Sequence, residues 1–209
     1  MIPQLKLERV PGDPNLQAWD AADQYLLRYL EENKLLTKQA RILTLNESFG
    51  ALCVSLAEYR PVMLSDSYLA RLALLKNLSL NQISDDEVKF VDSLSIPGND
   101  FDLILIKIPK SLALLEHQLY QLRSIIKNQT TVIAAGMSRH IHNSTLALFE
   151  KILGPTKTSL AWKKSRLILV ERDFENNKGQ NPYPDEFIVN FGKDYTITSH
   201  AGVFSRERL

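Results

Sequence analysis

One stretch limits the fold more than any other. Phe101-Asp-Leu-Ile-Leu-Ile-Lys-Ile108 is apolar at nearly every position, with no alternation between faces. A strand covered on one face only would alternate; an unbroken run of this kind is what a strand buried on both faces requires, and such strands sit in parallel sheets flanked by helices. The next segment is a helix of the expected kind. Ser111 is placed to cap it, and its stripe is Leu112, Leu115, Leu119, Leu122 and Ile126.

The same alternation extends along the chain. Asp13-Pro14 reads as a helix start, with Leu16, Trp19, Leu26 and Tyr29 at helical spacing through Glu32. Arg41 to Leu45 is a short strand, Asn46 to Gly50 a turn, and Phe49, Leu52, Cys53 and Leu56 form one face of a helix. Pro61 to Leu64 is a strand, Ser67 to Asn81 a helix with Leu69, Leu72 and Ala73 inward, and Val88 to Val91 a strand. After the central run come a strand at Thr131 to Ala135 and a helix at Asn143 to Leu153, stopped by Gly154-Pro155. Two successive strands come next, Thr158 to Trp162 and Leu167 to Val170. Repeated strand–helix alternation predicts an α/β fold with a mostly parallel sheet, right-handed crossovers and helices on both faces; the final pair predicts an antiparallel edge hairpin. That is the Rossmann-like layout of class I S-adenosylmethionine-dependent methyltransferases. Residues 1–172 are expected to form this domain. Residues 173–209 are expected to form a polar linker, rich in Asn and Pro, and a β-hairpin around Gly192-Lys-Asp194.

Charge and cysteine content narrow the setting. The net charge of +1 conceals a basic middle: Phe101 to Val170 holds 10 Lys/Arg against 3 Asp/Glu. A basic block is compatible with a polyanion such as RNA, or with a solvated face. A single cysteine, Cys53, excludes an internal disulfide framework and fits a reducing compartment. There is no apolar run long enough to span a bilayer and no secretion signal at Met1 to Val10, so the expectation is a cytoplasmic protein without a membrane partner.

In a doubly wound sheet, ligands bind beyond the C-terminal strand ends, and the first strand–helix turn carries glycines that let backbone approach a cofactor. Here that turn is Asn46-Glu47-Ser48-Phe49-Gly50, with one glycine and a bulky Phe49. Asp66 and Asp92 follow the second and third strands, where an acid can hold ribose hydroxyls; as helix or turn caps they need no ligand. The fourth strand ends Lys107-Ile108-Pro109-Lys110, where amino-methylating enzymes of this fold carry Asn/Asp-Pro-Pro-aromatic; a cation there repels the amine it should orient. Cys53 sits on an apolar stripe and reads as core. Arg139-His140-Ile141-His142 lacks a third ligand at metal spacing. No catalytic, cofactor-binding or metal-binding residue is therefore assigned. There remains a rim of positive charge formed by Lys107, Lys110, Arg139, His140, Lys163, Lys164 and Arg166, beside Trp162, which reads as core sooner than as a base platform.

Several segments resemble one family: Leu16-Gln-Ala-Trp-Asp-Ala-Ala-Asp23, Lys107-Ile-Pro-Lys110, Leu153-Gly-Pro155, Ala161-Trp-Lys-Lys164 and His200-Ala-Gly-Val-Phe-Ser205. Together they are similar to the bacterial ribosomal RNA large-subunit methyltransferase G family, over nearly the whole chain. The resemblance implies two methyltransferase-like domains in tandem, the first without a working cofactor loop. It implies a second domain that binds S-adenosylmethionine and methylates the exocyclic amine of a guanine in 23S ribosomal RNA. The present chain would then be the first domain, with His200 to Ser205 leading into a second that lies outside this sequence. The expected partners are large-subunit ribosomal RNA and that catalytic domain. Three functions stay open: RNA recognition, a scaffold for the catalytic half, and an independent enzyme that would have to bind S-adenosylmethionine.

Overall fold

The computed structural model describes residues 2–95, 97–98, 100–173 and 179–203. In chain order its elements are α1 (Ala21–Glu32), β1 (Ile42–Leu45), α2 (Ala51–Ser55), β2 (Val62–Leu64), α3 (Tyr68–Leu80), β3 (Lys89–Val91) and β4 (Leu103–Lys107). They continue with α4 (Leu112–Arg123), β5 (Thr131–Met137), α5 (Asn143–Ile152), β6 (Thr156–Thr158), β7 (Ser165–Val170), β8 (Asp185–Asn190) and β9 (Asp194–Ser199).

The first seven strands form one sheet in the order β3-β2-β1-β4-β5-β7-β6. Strands β1 to β5 pair in parallel, and β7 is antiparallel to both of its neighbours, β5 and β6. The central run behaves as its composition requires. Leu103 and Leu105 point to one face, against α1 and α2 through Leu26, Leu30 and Leu52. Ile104 and Ile106 point to the other, against α4 and α5 through Leu115, Leu119 and Phe149. A third cluster joins α3 to the sheet through Ala70, Leu74, Leu78 and Met63.

The expected antiparallel edge hairpin is present, with its reversed strand on the inside, and three other expectations need correction. β7 carries Leu167, Ile168 and Leu169 and inserts beside β5, leaving the polar Thr156-Lys157-Thr158 of β6 at the edge. Burial of the apolar partner decides which strand goes inside. β6 also ends at Thr158, so Ser159 to Lys164 is a connection and not strand, apart from a single bridge between Trp162 and Ser165. The first helix begins at Ala21, not at Pro14. Asp20 accepts from the Ala22 and Asp23 amides at 2.8 and 3.1 Å, and the Asp23 carboxylate accepts from the Asp20 amide at 2.8 Å. This reciprocal capping box fixes the start; Asp13 closes only a local turn through the Asn15 amide. In α3 the inward stripe is Ala70, Ala73, Leu74, Asn77 and Leu78, and Leu69 is exposed. Leucines all round this helix hid the phase, and the sheet selects the stripe with small residues.

The hairpin read around Gly192 is present as β8 and β9, a separate two-stranded sheet. The segment before it lies along α4: the Asn181 amide is 2.9 Å from His117 Nδ1, and Arg123 donates to the Gly179 carbonyl. The family-like segment from His200 runs on to Phe204 and Ser205, which lie outside the described residues. No helix among the described residues is long and apolar enough to cross a membrane.

Candidate functional site

The C-terminal ends of β1, β2, β4 and β5 open into a cleft of about 1070 Å³, lined by Trp19, Asp20, Asp23, residues 46–49 and 107–112, Arg139 and His140 among others. This is where a doubly wound sheet holds its ligand.

The loop after β1 is built inward. Asn46 adopts a left-handed φ of 62° and exchanges two 2.8 Å hydrogen bonds with the buried Gln118. It also donates to the Lys107 carbonyl at 3.1 Å, tying the end of β1 to the end of β4. Glu47 is buried, and its carboxylate accepts from the Leu52 amide at 2.7 Å and the Cys53 amide at 3.4 Å. An anion thus already sits on the first free amides of α2, where a phosphate or carboxylate ligand would otherwise bind. Gly50 has φ +74°, and a Cβ there would lie 2.7 Å from Leu74 Cδ1. The one glycine of the loop therefore serves the turn and its packing on α3, not the approach of a ligand. Phe49 faces the cleft under the Arg9 guanidinium, 4.6 Å from the ring centroid. Asn77 holds its carbonyl at 2.8 Å and binds the Glu8 backbone through both donor and acceptor atoms. These residues do not fit S-adenosylmethionine: the loop offers an internal carboxylate and a bulky ring where cofactor needs open backbone.

Cys53 is buried with Sγ 3.2 Å from Thr44 Oγ1. Burial and the nearby Glu47 charge push its thiol well above the ordinary range, so it stays neutral and serves as core. Asp66 is exposed, and Ser67, not Asp66, caps α3. Asp92 accepts from the Leu94 and Ser95 amides at 3.0 Å, so its carboxylate closes its own turn.

The seven basic positions divide. Lys107 is in the wall of the cleft, but its ammonium lies 2.6 Å from Asp20 and 2.6 Å from Asp23, with only 14% of its side chain exposed. Burial alone would lower the Lys107 pKa; the two carboxylates outweigh it and leave it raised. Asp23 is pushed up to about 6, because burial prevails over the attraction of Lys107. For Asp20, burial is outweighed by Lys107 and by backbone donors, and its pKa is lowered. Lys107 thus fastens the start of α1 to the end of β4 and is not a free rim cation. Lys110, Arg139 and His140 are exposed at the mouth of the cleft. Lys163 and Lys164 are exposed and do not line the cleft; their turn is held beside the end of β5, where the Lys164 carbonyl accepts from the Ser138 amide at 2.7 Å. Arg166 stands opposite Gly136 in the β5–β7 register. Trp162, expected in the core, is half-buried at the surface, 5.6 Å from the Tyr25 ring.

Asp20, Asp23, Asn46, Gln118 and Asn77 were not singled out in sequence. For the first two a signal existed: Asp-x-x-Asp ahead of an apolar stripe is capping-box spacing. The others are long-range partners with no local signature. Among the described residues no group of three or more His, Cys, Asp or Glu could hold a metal ion.

A seven-stranded sheet with a single reversed strand, second from its edge, is the fold of class I methyltransferases. The T. thermophilus 16S rRNA N2 methyltransferase RsmC, solved in complex with AdoMet and guanosine, superposes with a TM-score of 0.63 at 18% identity, covering 91% of this chain and 49% of that one. An O-methyltransferase family protein from Burkholderia thailandensis superposes with a TM-score of 0.56 at 11% identity, covering 76% of this chain and 57% of that one. The chain thus spans about half the length of these solved structures. Residues 2–175 match the RLMG N-terminal domain family, and the chain belongs to that family.

Proposed function

We propose that this chain is the non-catalytic, RNA-recognising half of an S-adenosylmethionine-dependent methyltransferase that modifies the exocyclic amine of a guanine in large-subunit ribosomal RNA. The observation that carries the reading is the cleft itself. The fold retains it, but Glu47 occupies the α2 amides and Lys107 sits locked where an amine acceptor would be. Cofactor binding and methyl transfer are assigned to a separate catalytic domain, reached through the linker and hairpin of residues 173–209. The RNA contact is assigned to Lys110, Arg139, His140, Lys163, Lys164 and Arg166. Among the described residues none of Lys110, Arg139, Lys163, Lys164 and Arg166 forms an ion pair, so their charge is available to phosphates, and His140 accepts from Arg139 Nε at 3.1 Å. Lys107 acts behind them as a positioning residue. The setting is the cytoplasm, where ribosomal RNA would be met.

The test is fluorescence anisotropy of the chain with a large-subunit ribosomal RNA fragment across a salt series. Five or six phosphate contacts correspond to a log–log salt slope of about −3.5 to −5.5. Calorimetry with S-adenosylmethionine should show no binding. The second reading, a scaffold for the catalytic half, is favoured by the exposed Ile188, Phe191 and Val203 on and after the terminal hairpin. Absence of RNA binding at low salt would decide for it.

A further inference from the structure

We infer that the connection from Ser159 to Ser165 is a preformed platform for an unpaired RNA nucleotide, with Trp162 stacking on the base and Lys163 and Lys164 holding the flanking phosphates. The inference rests on the proposed RNA-binding role and adds to it the strand state of the RNA and the residue that selects it.

The tip of the connection, Trp162 to Ser165, is a two-residue hairpin turn. Trp162 and Ser165 exchange both backbone hydrogen bonds, at 2.9 and 2.8 Å, around Lys163 and Lys164. Both lysines have left-handed φ, 47° and 63°. That is the pattern of a type I′ turn, which strongly favours Asn-Gly because side chains with a Cβ are strained there. Two lysines in succession at such positions are a poor choice for folding. Strain of this kind persists where the surrounding structure enforces it, and it is found at functional sites.

The surrounding structure does enforce it. The Ser165 hydroxyl is 2.6 Å from the Trp162 carbonyl and 3.3 Å from that of Ala21 in α1. Tyr25 donates to the Leu160 carbonyl at 3.1 Å, and the Ser138 amide donates to the Lys164 carbonyl at 2.7 Å. The turn is therefore anchored to α1 and to the end of β5. The surface it presents outward is mixed in character: Leu160 is 88% exposed, Lys163 and Lys164 are exposed, and Trp162 is half-exposed. The Lys163 ammonium and the Arg28 guanidinium, the latter paired with Glu32 at 2.7 Å, lie over the indole at 4.6 and 5.4 Å from its centroid, so a stacking base must displace the flexible Lys163 side chain toward its phosphate. Among the described residues Lys163 otherwise meets only the neutral Gln24 amide oxygen, at 3.2 Å. An aromatic ring ringed by cations is the combination that binds unpaired nucleotides, since every base has a face to stack and a phosphate beside it. A duplex hides those faces, so the platform discriminates against it.

The test uses the full chain and labelled RNAs of one sequence, single-stranded and in duplex, with wild type, Trp162→Ala, Trp162→Phe and the double variant Lys163→Asn/Lys164→Gly. The single strand should bind more tightly than the duplex. Trp162→Ala should lose about 5- to 100-fold for the single strand and little for the duplex, and Trp162→Phe should recover much of it. The double variant, carrying the residues the turn prefers, should melt about 3–6 °C higher while binding the single strand more weakly. Equal binding of both RNAs by wild type and Trp162→Ala would overturn the platform and leave the cationic rim standing. No binding of either RNA by wild type would overturn both. A double variant no more stable than wild type would remove the strain argument.

Discussion

Replacing Lys107 by methionine keeps the length of the side chain and removes its charge, leaving Asp23 buried without a counter-ion. Only 9% of the Asp23 side chain and 14% of the Lys107 side chain are exposed. Breaking a buried pair by removing one partner costs about 3–5 kcal/mol. Asp20 is roughly half exposed and can turn to solvent, so the low end, about 3 kcal/mol, applies at neutral pH. The cost depends on pH, and its sign follows from Asp23. Its folded pKa, about 6, lies above its ordinary 3.8, so Asp23 weakens the fold as pH rises through that window. Without Lys107 the folded pKa rises further, and the penalty grows from pH 4 upward and saturates later. Lys107→Met should therefore cost least at pH 4, where only the half-exposed Asp20 still loses a partner, and most at pH 8. Urea titrations at the two pH values measure it: with a slope of about 2.5 kcal/mol/M, the midpoint should drop by about 1.2 M at pH 8. The double variant Lys107→Met/Asp23→Asn should recover most of the loss. A loss below about 1 kcal/mol, equal at both pH values, would refute the claim that this lysine acts as an internal counter-ion.

Gly50→Ala should cost about 2–3 kcal/mol, since its Cβ would meet Leu74 at 2.7 Å and its φ is left-handed; thermal melts check it. Asn77→Ala leaves the Glu8 backbone and the Phe49 carbonyl unpaired, at about 2–3 kcal/mol, and limited proteolysis should then cut near residues 5–9. Glu47→Ala removes the cap of α2 and should cost about 1–2 kcal/mol without creating affinity for S-adenosylmethionine, which calorimetry tests. Lys110→Glu and Arg139→Glu should each weaken RNA binding and reduce the salt slope by about one, with unchanged melting temperature.

Much of the fold was legible because its signals are local. Phe101 to Ile108 announced a central strand by composition, Ser111 announced the α4 cap, and Gly154-Pro155 the end of α5. Errors arose where two local signals competed and tertiary contacts chose. Asp13-Pro14 and Asp20-Ala-Ala-Asp23 are both helix starts, and only the second has an apolar face to bury behind it. The candidate site was less legible for the same reason. Lys107 reads as a surface cation until α1 brings two carboxylates to it, 84 and 87 residues away in sequence. Trp162 reads as core until the Lys163-Lys164 turn carries it outward. The defects of the cofactor loop, by contrast, lie within five consecutive residues, Asn46 to Gly50, and could be seen directly.

The two outer strands, β3 and β6, are each three residues long and each carries an exposed lysine, Lys89 and Lys157. A long flat border would recruit another strand and extend the sheet from one molecule into the next; short borders bearing charge resist this. Neither margin is therefore a place for a neighbour to add backbone pairing, and crowding many copies together should leave the seven-stranded sheet at seven. A second folded unit attached to this chain would have to meet the seven-stranded sheet through side chains on a helix layer and not by continuing its strands, whereas β8 and β9, six residues each, pair only with one another among the described residues.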